Sequence, residues 1–380
     1  MKIILISNTI APNSGWGTLT YNHASYLHKR GVPFQLFLPW NAKRIDVPFV
    51  NQISYELPSL LPVFSCWRNI PKFLKLFIIK KTFSEPVIIH SLIDFPYNLT
   101  GWYWAKKNKC PFIYSAIGSY SVKPFTKIIQ RQLLLEPFKK ASRVIAISNF
   151  TAQQAQKVSN HYRSIDVINL PVTQPSKITA SQEDHFNIPE SAKVILSVGP
   201  LKSRKGMDIL IKALPEIVNK ISETQLIIVG NGDKEKYYQL AESLGVRKNL
   251  LILQNTPAEE LIYLFKRSNV FALTSRYINH NFEGYGLVYL EAGLYKKPVV
   301  AADSGGVSDA VHHQETGLLV PENNIEATAD ALIKILSNEE LAQKLGEGNY
   351  RLAKERNWDD YIDQIIKIYR LITKDQGEHV

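Results

Sequence analysis

The sequence predicts an α/β protein with two Rossmann-like domains, each built around a parallel β-sheet. Short apolar segments alternate with helical stretches along the 380-residue chain, as is typical of doubly wound sheets. A polar stretch with proline near both ends, residues 173–191, separates two such runs and is predicted to be a linker. Because no segment offers about 18 uninterrupted apolar residues, the sequence does not predict a transmembrane helix.

The first run consists of short strands rich in β-branched residues, each followed by turn residues. The first strand is short and ends at Ser7, which fits a buried strand better than a signal peptide. A loop at 11–17 precedes a helix that ends at Gly31, and further helices are predicted at 126–140 and 150–158. The predicted strands are residues 2–7, 33–39, 87–92, 112–118, 143–148 and 166–170.

The second run repeats this alternation after the linker. Its predicted strands are residues 194–199, 225–232, 250–254, 270–275 and 298–302, and the range 225–232 includes the turn that follows the strand. Its predicted helices are residues 206–218, 234–245, 257–267, 287–296 and 324–336, and a helical tail covers 358–374. Because ligands of such sheets bind at the carboxyl ends of the strands, the loops that follow these strands are the candidate sites.

The net charge of +11 is unevenly distributed. Residues 1–180 contain 22 Lys and Arg against 6 Asp and Glu, whereas residues 181–380 contain 23 against 28. The basic first half could attract nucleic acid, an anionic membrane surface or a phosphorylated acceptor, or it could simply be a solvated face. Nucleic acid is disfavoured, because the sequence has no helix-turn-helix, RNA-recognition or zinc signature.

The two cysteines, Cys66 and Cys110, are too few for a disulfide framework, which favours a reducing compartment. We therefore expect a cytoplasmic protein.

A pair of glutamates carries most of the information about function. Glu283 precedes a Gly-Tyr-Gly turn, and Glu291 lies eight residues later on the helix that follows. Gly284 and Gly286 allow a ligand to approach the backbone closely, and the free N–H groups at the start of a helix favour an anion. A diphosphate placed there would meet amides from both the turn and the helix.

This region closely resembles the retaining GT-B glycosyltransferases of glycosyltransferase family four. Their hallmark, two glutamates with seven residues between, matches Glu283-GYGLVYL-Glu291, and the surrounding pattern is present from Pro298 to Ala301 and from Gly317 to Val320. The resemblance implies two facing Rossmann-like domains, at 1–178 and 179–358, with the helix at 359–380 packed back on the first. It also implies that Glu283 contacts the transferred sugar and Glu291 the nucleotide ribose.

A second match is the loop VGPLKSRKG, residues 198–206. Lys205 takes the position of a family lysine, where an ammonium can neutralise the departing phosphate. The family's arginine position is occupied by Pro200, which removes a guanidinium that would help to hold the diphosphate. Lys202 or Arg204 could replace it from the same loop, or activity could be weak.

The resemblance extends to further residues in both halves. Gly15, beside Ser14 and near Gly17, corresponds to a Gly-Gly loop that faces the donor phosphates, and His90 ends a strand where the family often has a histidine near the reaction centre. The alternative interpretations are a plain turn for the Gly15 loop and a hydrogen-bonded structural role for His90.

Gly118, Ser119 and Tyr120 are assigned to the acceptor side. The predicted donor-binding residues are Gly15, Gly17, Gly199, Arg204, Gly230, Asn231, Gly232, Ser275, Gly284, Tyr285, Gly286, Leu287 and Glu291, and the predicted catalytic residues are Glu283, Lys205 and His90.

Residues 57–83 mix proline, aromatic residues, leucine and lysine, a composition that suits an anionic membrane surface. A packed lid or ordinary core is an equal alternative, because the lysines do not lie on one helical face.

Together these features predict metal-independent, retaining transfer of a hexose from a UDP- or GDP-sugar to a saccharide or anionic lipid-linked acceptor. No cofactor is expected, since the nucleotide-sugar is a substrate and the sequence has no metal-ligand cluster. Such an enzyme would work in the cytoplasm in polysaccharide or envelope glycan synthesis, with contact to an anionic membrane through its basic half. The alternatives are a catalytically impaired partner protein and a GT-B epimerase or phosphorylase.

Overall fold

The computed structural model describes residues 1–11, 15–59, 81–93, 95–161, 164–173 and 186–377. Its residues divide into two compact units. The first contains residues 1–169 together with 358–380, and the second contains residues 170–357. The boundary between them therefore lies at Asn169 and Leu170, whereas the sequence places it at 178. Ser14, most of the segment 57–83 and residues 174–185 of the predicted linker lie outside the described residues.

The first unit is built on a seven-stranded sheet in which every pairing is parallel. Its strands are β1 (Lys2–Ile6), β2 (Phe34–Pro39), β3 (Ile53–Leu57), β4 (Val87–Ser91), β5 (Phe112–Ala116), β6 (Arg143–Ala146) and β7 (Asp166–Val167), in the order β3-β2-β1-β4-β5-β6-β7. Its helices are α1 (Gly15–Lys29), α2 (Tyr97–Asn108), α3 (Ser119–Val122), α4 (Ile128–Lys140) and α5 (Asn149–Ser159).

The second unit contains a six-stranded parallel sheet. Its strands are β8 (Lys193–Val198), β9 (Thr224–Val229), β10 (Leu250–Leu253), β11 (Val270–Leu273), β12 (Val299–Ala302) and β13 (Gly317–Val320), in the order β10-β9-β8-β11-β12-β13. Its helices are α6 (Met207–Lys220), α7 (Glu235–Ser243), α8 (Ala258–Arg267), α9 (Leu287–Gly293), α10 (Ile325–Leu336) and α11 (Glu339–Glu355). The last helix of the chain, α12 (Trp358–Gly377), belongs to the first unit.

The central strands of both sheets are buried along almost their whole length. Strand β4 is buried at all five positions, and so is β5. Helices cover both faces of a doubly wound sheet, so its strands are continuous apolar runs instead of alternating ones. This is why most of the strands, though not β3 or β13, could be recognised from the sequence.

Helix α12 packs on α1 within the first unit. Arg30, the residue after α1, donates two hydrogen bonds to the carboxylate of Asp363, at 2.9 and 3.1 Å, and forms a second ion pair with Asp359 at 3.0 Å. The ring of Tyr26 stacks on that of Trp358, with centroids 5.9 Å apart. Since exposed ion pairs contribute little, the buried apolar face of α12 accounts for most of this packing.

Several elements differ from the sequence-based expectation. Helix α1 begins at Gly15, within the predicted loop, so Gly15 and Gly17 lie in its first turn. The sequence does not predict β3, an edge strand that is only half-buried, nor α2, whose residues show no apolar periodicity. Of the helices in the described part of the chain, none combines the length and hydrophobicity needed to span a bilayer.

Candidate functional site

The loop after β8 brings Lys205 into the second unit's polar site. The chain forms a 3₁₀ turn over Ser203–Lys205, and Gly206 is the N-cap of α6. The aliphatic part of Lys205 packs beside Gly199, where an added Cβ would lie 3.5 Å from the lysine side chain. As a result, the Lys205 side chain is only 9% exposed, and its ammonium is held in a fixed place.

Three side chains donate hydrogen bonds to one oxygen of Glu283. Its Oε2 atom accepts from Lys205 Nζ at 2.5 Å, from the Arg204 guanidinium at 3.3 Å and from the Ser275 hydroxyl at 3.3 Å. Ser275 follows β11, so the cluster joins the loops after two neighbouring strands, β8 and β11. The carboxylate is 13% exposed.

The electrostatics of this cluster keep Glu283 ionised. Burial alone would raise the pKa of Glu283, but the nearby charges of Lys205 and Arg204 and their hydrogen bonds more than offset that effect. The net pKa of Glu283 is therefore lowered from its ordinary value. Two cations thus converge on the Glu283 carboxylate, an arrangement that suits an anionic ligand placed beside them.

The glycine turn after Glu283 leads directly into α9. Gly286 has a positive φ of 91°, and an added Cβ would lie 2.5 Å from the buried ring of Tyr289, so only glycine fits there. Helix α9 begins at the next residue, Leu287, and its first amides point back towards this turn. Gly284 lies in the same turn, as the sequence predicts. The Tyr285 side chain is 2% exposed and packs inside the unit, so the part of this residue that faces the turn is its backbone.

Glu291 lies on α9, at a half-buried position. Burial raises the pKa of Glu291, and the charge of Lys205 opposes that shift only in part. The two glutamates of the motif therefore have opposite pKa shifts. Glu283 accepts hydrogen bonds from both cations, whereas Glu291 has only an electrostatic interaction with Lys205.

The turn after β9 packs against the loop after β8. At Gly230 an added Cβ would lie 1.8 Å from the carbonyl oxygen of Gly199, so a side chain there would force the two loops apart. Asn231 and Asn255 form a reciprocal pair: the side chain of Asn231 donates to Asn255 at 2.9 Å and accepts from its backbone N–H at 3.0 Å. Gly232 forms an isolated bridge with Leu201. These loops form one connected edge of the second sheet.

Several residues that support this site are not evident from the sequence. Arg276 follows Ser275, donates its backbone N–H to the carbonyl of Arg204 at 2.8 Å, and forms an ion pair through its side chain with Asp208 of α6. Glu322 accepts from the Tyr277 N–H at 2.9 Å and from the Ser304 hydroxyl. These contacts tie the Glu283 loop to its neighbours. In the sequence, the only sign of this role for Arg276 is its charge together with its position next to Ser275.

Pro200 occupies the family's arginine position, and the structure shows where the two candidate replacements, Lys202 and Arg204, lie. Pro200 turns the chain, with its carbonyl accepting from the Lys202 N–H at 2.7 Å. The Lys202 side chain is exposed, whereas Arg204 lies in the cluster and contacts Glu283. Of the two substitutes considered from sequence, Arg204 is the one that the structure brings to the site.

In the first unit, the predicted loop residues gather around two aromatic rings. Trp16, between Gly15 and Gly17, meets Tyr120 edge to face, with centroids 5.9 Å apart. Gly118 precedes the short helix α3 with a φ of 92°, and Ser119 begins that helix. Gly15, Gly17, Gly118, Ser119 and Tyr120 thus lie at one edge of the first sheet. Gly17 is buried in α1.

His90 is buried inside the first unit, on strand β4. Its ring is buried, with Nδ1 2.7 Å from the Tyr369 hydroxyl and Nε2 2.9 Å from the Ser115 hydroxyl. His23 lies beside it, 5.5 Å between ring centroids, and contacts the same Tyr369 hydroxyl at 3.3 Å. Burial, and to a smaller extent His23, holds the pKa of His90 well below its usual range. Both ring nitrogens are thus engaged within the first unit, which favours the structural interpretation that the sequence left open.

Among the residues that the structure describes, no group of three or more His, Cys, Asp and Glu side chains could hold a metal ion.

The fold and this site define a class of protein. Two parallel-sheet Rossmann-like units, with a lysine and carboxylate cluster beside helix amides in the second, are the arrangement of the GT-B glycosyltransferases. Residues 13–173 match the family described as Glycosyltransferase Family 4, and residues 179–352 match Glycosyl transferases group 1. The chain belongs to this family, and it is a glycosyltransferase that takes sugar from a nucleotide-sugar, as the sequence predicts.

Curated relatives and solved structures agree with this assignment. The chain is 26% identical to a D-inositol 3-phosphate glycosyltransferase of Corynebacterium aurimucosum, over 97% of this chain and 96% of that protein. Over 43% of its length it is 35% identical to a GDP-mannose-dependent alpha-(1-6)-phosphatidylinositol monomannoside mannosyltransferase of Mycolicibacterium smegmatis, covering 44% of that protein.

Among solved structures, the sucrose-phosphate synthase of Thermosynechococcus elongatus has a TM-score of 0.77 at 20% identity, covering 99% of this chain and 100% of that one. Anabaena HepE, in complex with UDP and glucose, has a TM-score of 0.71 at 20% identity, covering 97% of this chain and 99% of that one. These two likenesses concern the fold.

Proposed function

We propose that the protein transfers a hexose from a UDP- or GDP-sugar to a saccharide or lipid-linked acceptor, with retention of configuration and without a metal. The observation that carries this proposal is the Glu283 cluster, in which two cations and the start of α9 converge on one half-buried place. In a GT-B enzyme without a metal, such charges must supply the stabilisation that a departing diphosphate needs.

The proposed roles follow from the charge of each group. The ammonium of Lys205 and the guanidinium of Arg204 stabilise the negative charge that develops on the diphosphate as the bond to the sugar breaks. The amides at the start of α9 bind the same phosphates. Glu283 orients both cations and accepts a hydrogen bond from the transferred sugar, while Glu291 accepts from the ribose.

The acceptor hydroxyl attacks the sugar from the face that the nucleotide leaves, and its proton passes to the departing phosphate oxygen. No side chain of the protein therefore needs to form a covalent bond. Gly15, Ser119 and Tyr120 are proposed to line the acceptor side in the first unit. His90 is given a structural role, because its ring nitrogens are both engaged.

The donor base and the partners are narrower proposals. One relative is named as GDP-mannose-dependent and one structural neighbour is described with UDP, which supports testing both bases first. The excess of cations in residues 1–180 supports an anionic, lipid-linked acceptor and contact with an anionic membrane. A cytoplasmic location rests on the low cysteine content alone.

The test is a thermal-shift screen with UDP, GDP, ADP and their common sugar conjugates. A ligand that binds only the native state adds about 2.7 kcal/mol to apparent stability at a hundredfold excess over its dissociation constant. We expect a clear shift with one nucleotide, lost in Lys205→Ala and kept in Lys202→Ala, the exposed lysine of the same loop. No shift with any nucleotide at millimolar concentration would overturn the proposal and favour an impaired partner protein.

A further inference from the structure

The two most exposed large apolar side chains among the described residues are neighbours in the sequence. Ile128 is 79% exposed and Ile129 is 73% exposed, in the first turn of α4. The other exposed large apolar residues of the described chain occur singly. Isolated exposed apolar residues are common on protein surfaces, but an adjacent pair at the end of a helix places two branched side chains side by side in water.

Basic residues lie on both sides of this pair in the sequence. Residues 120–131 contain Lys123, Lys127 and Arg131 and no acidic residue. Lys127 occupies the N-cap of α4, and the first turn contains no acidic residue. Since the N-terminal end of a helix is positive, anions are favoured there, and a lysine at this position works against helix stability. The helix start therefore combines exposed apolar groups with a concentrated positive charge.

The same segment includes Tyr120, half of whose surface is exposed. It stands at the acceptor-side edge of the first sheet, against Trp16. Aromatic residues with a polar atom are favoured at the boundary between a membrane and water. Residues 120–131, which we call the Ile128 surface, thus carry the three kinds of side chain that such a boundary accommodates.

We propose that the Ile128 surface docks on an anionic lipid bilayer. Ile128 and Ile129 insert at the boundary between headgroups and acyl chains, and Lys127 and Arg131 contact lipid phosphates. The inference rests on the proposed function, because docking would hold the acceptor side of the enzyme at a membrane that contains its lipid-linked acceptor.

Charge complementarity favours a bilayer over a second copy of this chain. A symmetric dimer places the same patch on both sides of its interface, which would bring Lys127 and Arg131 against their own copies. Two isoleucines also supply much less than the roughly 1,000 Å² that a stable interface needs. An anionic bilayer requires no such area, since apolar insertion and electrostatic attraction act together.

The experiment is a sedimentation assay of the full chain with vesicles of phosphatidylglycerol and phosphatidylcholine in equal parts, and with phosphatidylcholine alone. We expect binding to the anionic vesicles that weakens with salt. Ile128→Ser with Ile129→Ser should weaken it about tenfold or more. Ile325→Ser, which removes another exposed isoleucine from the second unit, should leave it unchanged.

The charges are tested by a matched pair of variants on one helix. Lys127→Gln with Arg131→Gln should weaken vesicle binding more than Lys139→Gln with Lys140→Gln at the other end of α4, although each removes two charges. Equal effects would show only a diffuse electrostatic attraction and would overturn the proposal. So would wild-type binding by the double isoleucine variant, or a dimer in analytical ultracentrifugation that this variant dissociates.

Thermal unfolding of each variant checks that it is folded, and the nucleotide shift is measured on the same preparations without vesicles. A protein that shows the nucleotide shift and does not bind vesicles overturns only the docking. A protein that binds vesicles through the Ile128 surface and shows no nucleotide shift overturns only the proposed sugar transfer.

Discussion

Each sheet carries a polar cluster at its carboxyl edge, and the two clusters differ in charge and in exposure. In the second unit, Lys205, Arg204 and Glu283 are charged and partly open to solvent. In the first unit, His90, His23 and Tyr369 are buried, and burial keeps both histidines neutral by lowering their pKa values. A cluster that must stabilise charge during a reaction keeps ionised groups within reach of a ligand. The first-unit cluster joins a helix to a sheet and contains neutral groups, and one of its buried atoms, His23 Nδ1, has no hydrogen-bond partner.

The comparison shows that a position at a strand end does not by itself define a role. By position alone, both His90 and Lys205 are candidates for a catalytic role. Their surroundings distinguish the two residues, because both ring nitrogens of His90 are already engaged within the first unit. Four experiments test this difference between the two clusters, and they are given in order of decreasing expected effect.

The largest effect is expected for Glu283→Gln, which keeps the size of the side chain and removes its charge. Lys205 and Arg204 would lose the anion that orients them, and kcat for sugar transfer should fall about 100-fold or more. Steady-state kinetics with the donor identified by the thermal-shift screen measure this. Glu291→Gln is the matched control and should raise KM for the donor more than it lowers kcat. A loss below about tenfold in Glu283→Gln would place the reaction centre elsewhere.

A smaller effect is expected for Arg204→Ala. Loss of one charge-assisted contact to the diphosphate should weaken nucleotide binding about tenfold, measured by isothermal titration calorimetry. Lys202→Ala, in the same loop but exposed, should change the affinity less than about twofold. If Lys202→Ala has the larger effect, then Lys202 and not Arg204 replaces the arginine that Pro200 displaces.

The buried histidines predict how stability depends on pH. The pKa of His23 is lowered from 6.5 to about 3 by burial, so the unfolded chain binds more protons between these values. The free energy of unfolding should therefore fall as pH drops below about 6.5, by about 1.4 kcal/mol per pH unit for each histidine. Urea unfolding between pH 7 and pH 5 measures the slope, and His23→Phe should reduce it. An unchanged slope in this variant would mean that His23 does not contribute to it.

The smallest effect is expected for Ser115→Ala, which leaves His90 Nε2 without its partner. The cost should be about 1 kcal/mol in the free energy of unfolding, with kcat unchanged, because the contact supports only the fold. Ser119→Ala, at the proposed acceptor side, is the matched control for stability. A kcat reduced by more than about tenfold in Ser115→Ala at unchanged stability would restore a catalytic role to His90.

The strands and the donor motifs could be predicted because they depend on local patterns. Continuous apolar runs such as Val87–Ile89 indicate buried parallel strands, and the glycines around Glu283 are required wherever the backbone must pass close to a neighbour. The helix Tyr97–Asn108 lacks any such pattern, and contacts from the rest of the first unit determine it. The strand Ile53–Leu57 has a different pattern, an alternation of apolar and polar residues that fits its half-buried edge position.

The sequence by itself determined the doubly wound α/β class, the alternation of its elements and two separate motifs, one with Glu283 and Glu291 and the other with Lys205. Only the tertiary structure decided which groups meet. It brought Arg204, not Lys202, to Glu283, turned the Tyr285 ring inward, and engaged both nitrogens of His90. The physical reason is that local periodicity reports burial along one element. A pKa, an ion pair and an accessible surface depend on side chains that arrive from distant parts of the chain.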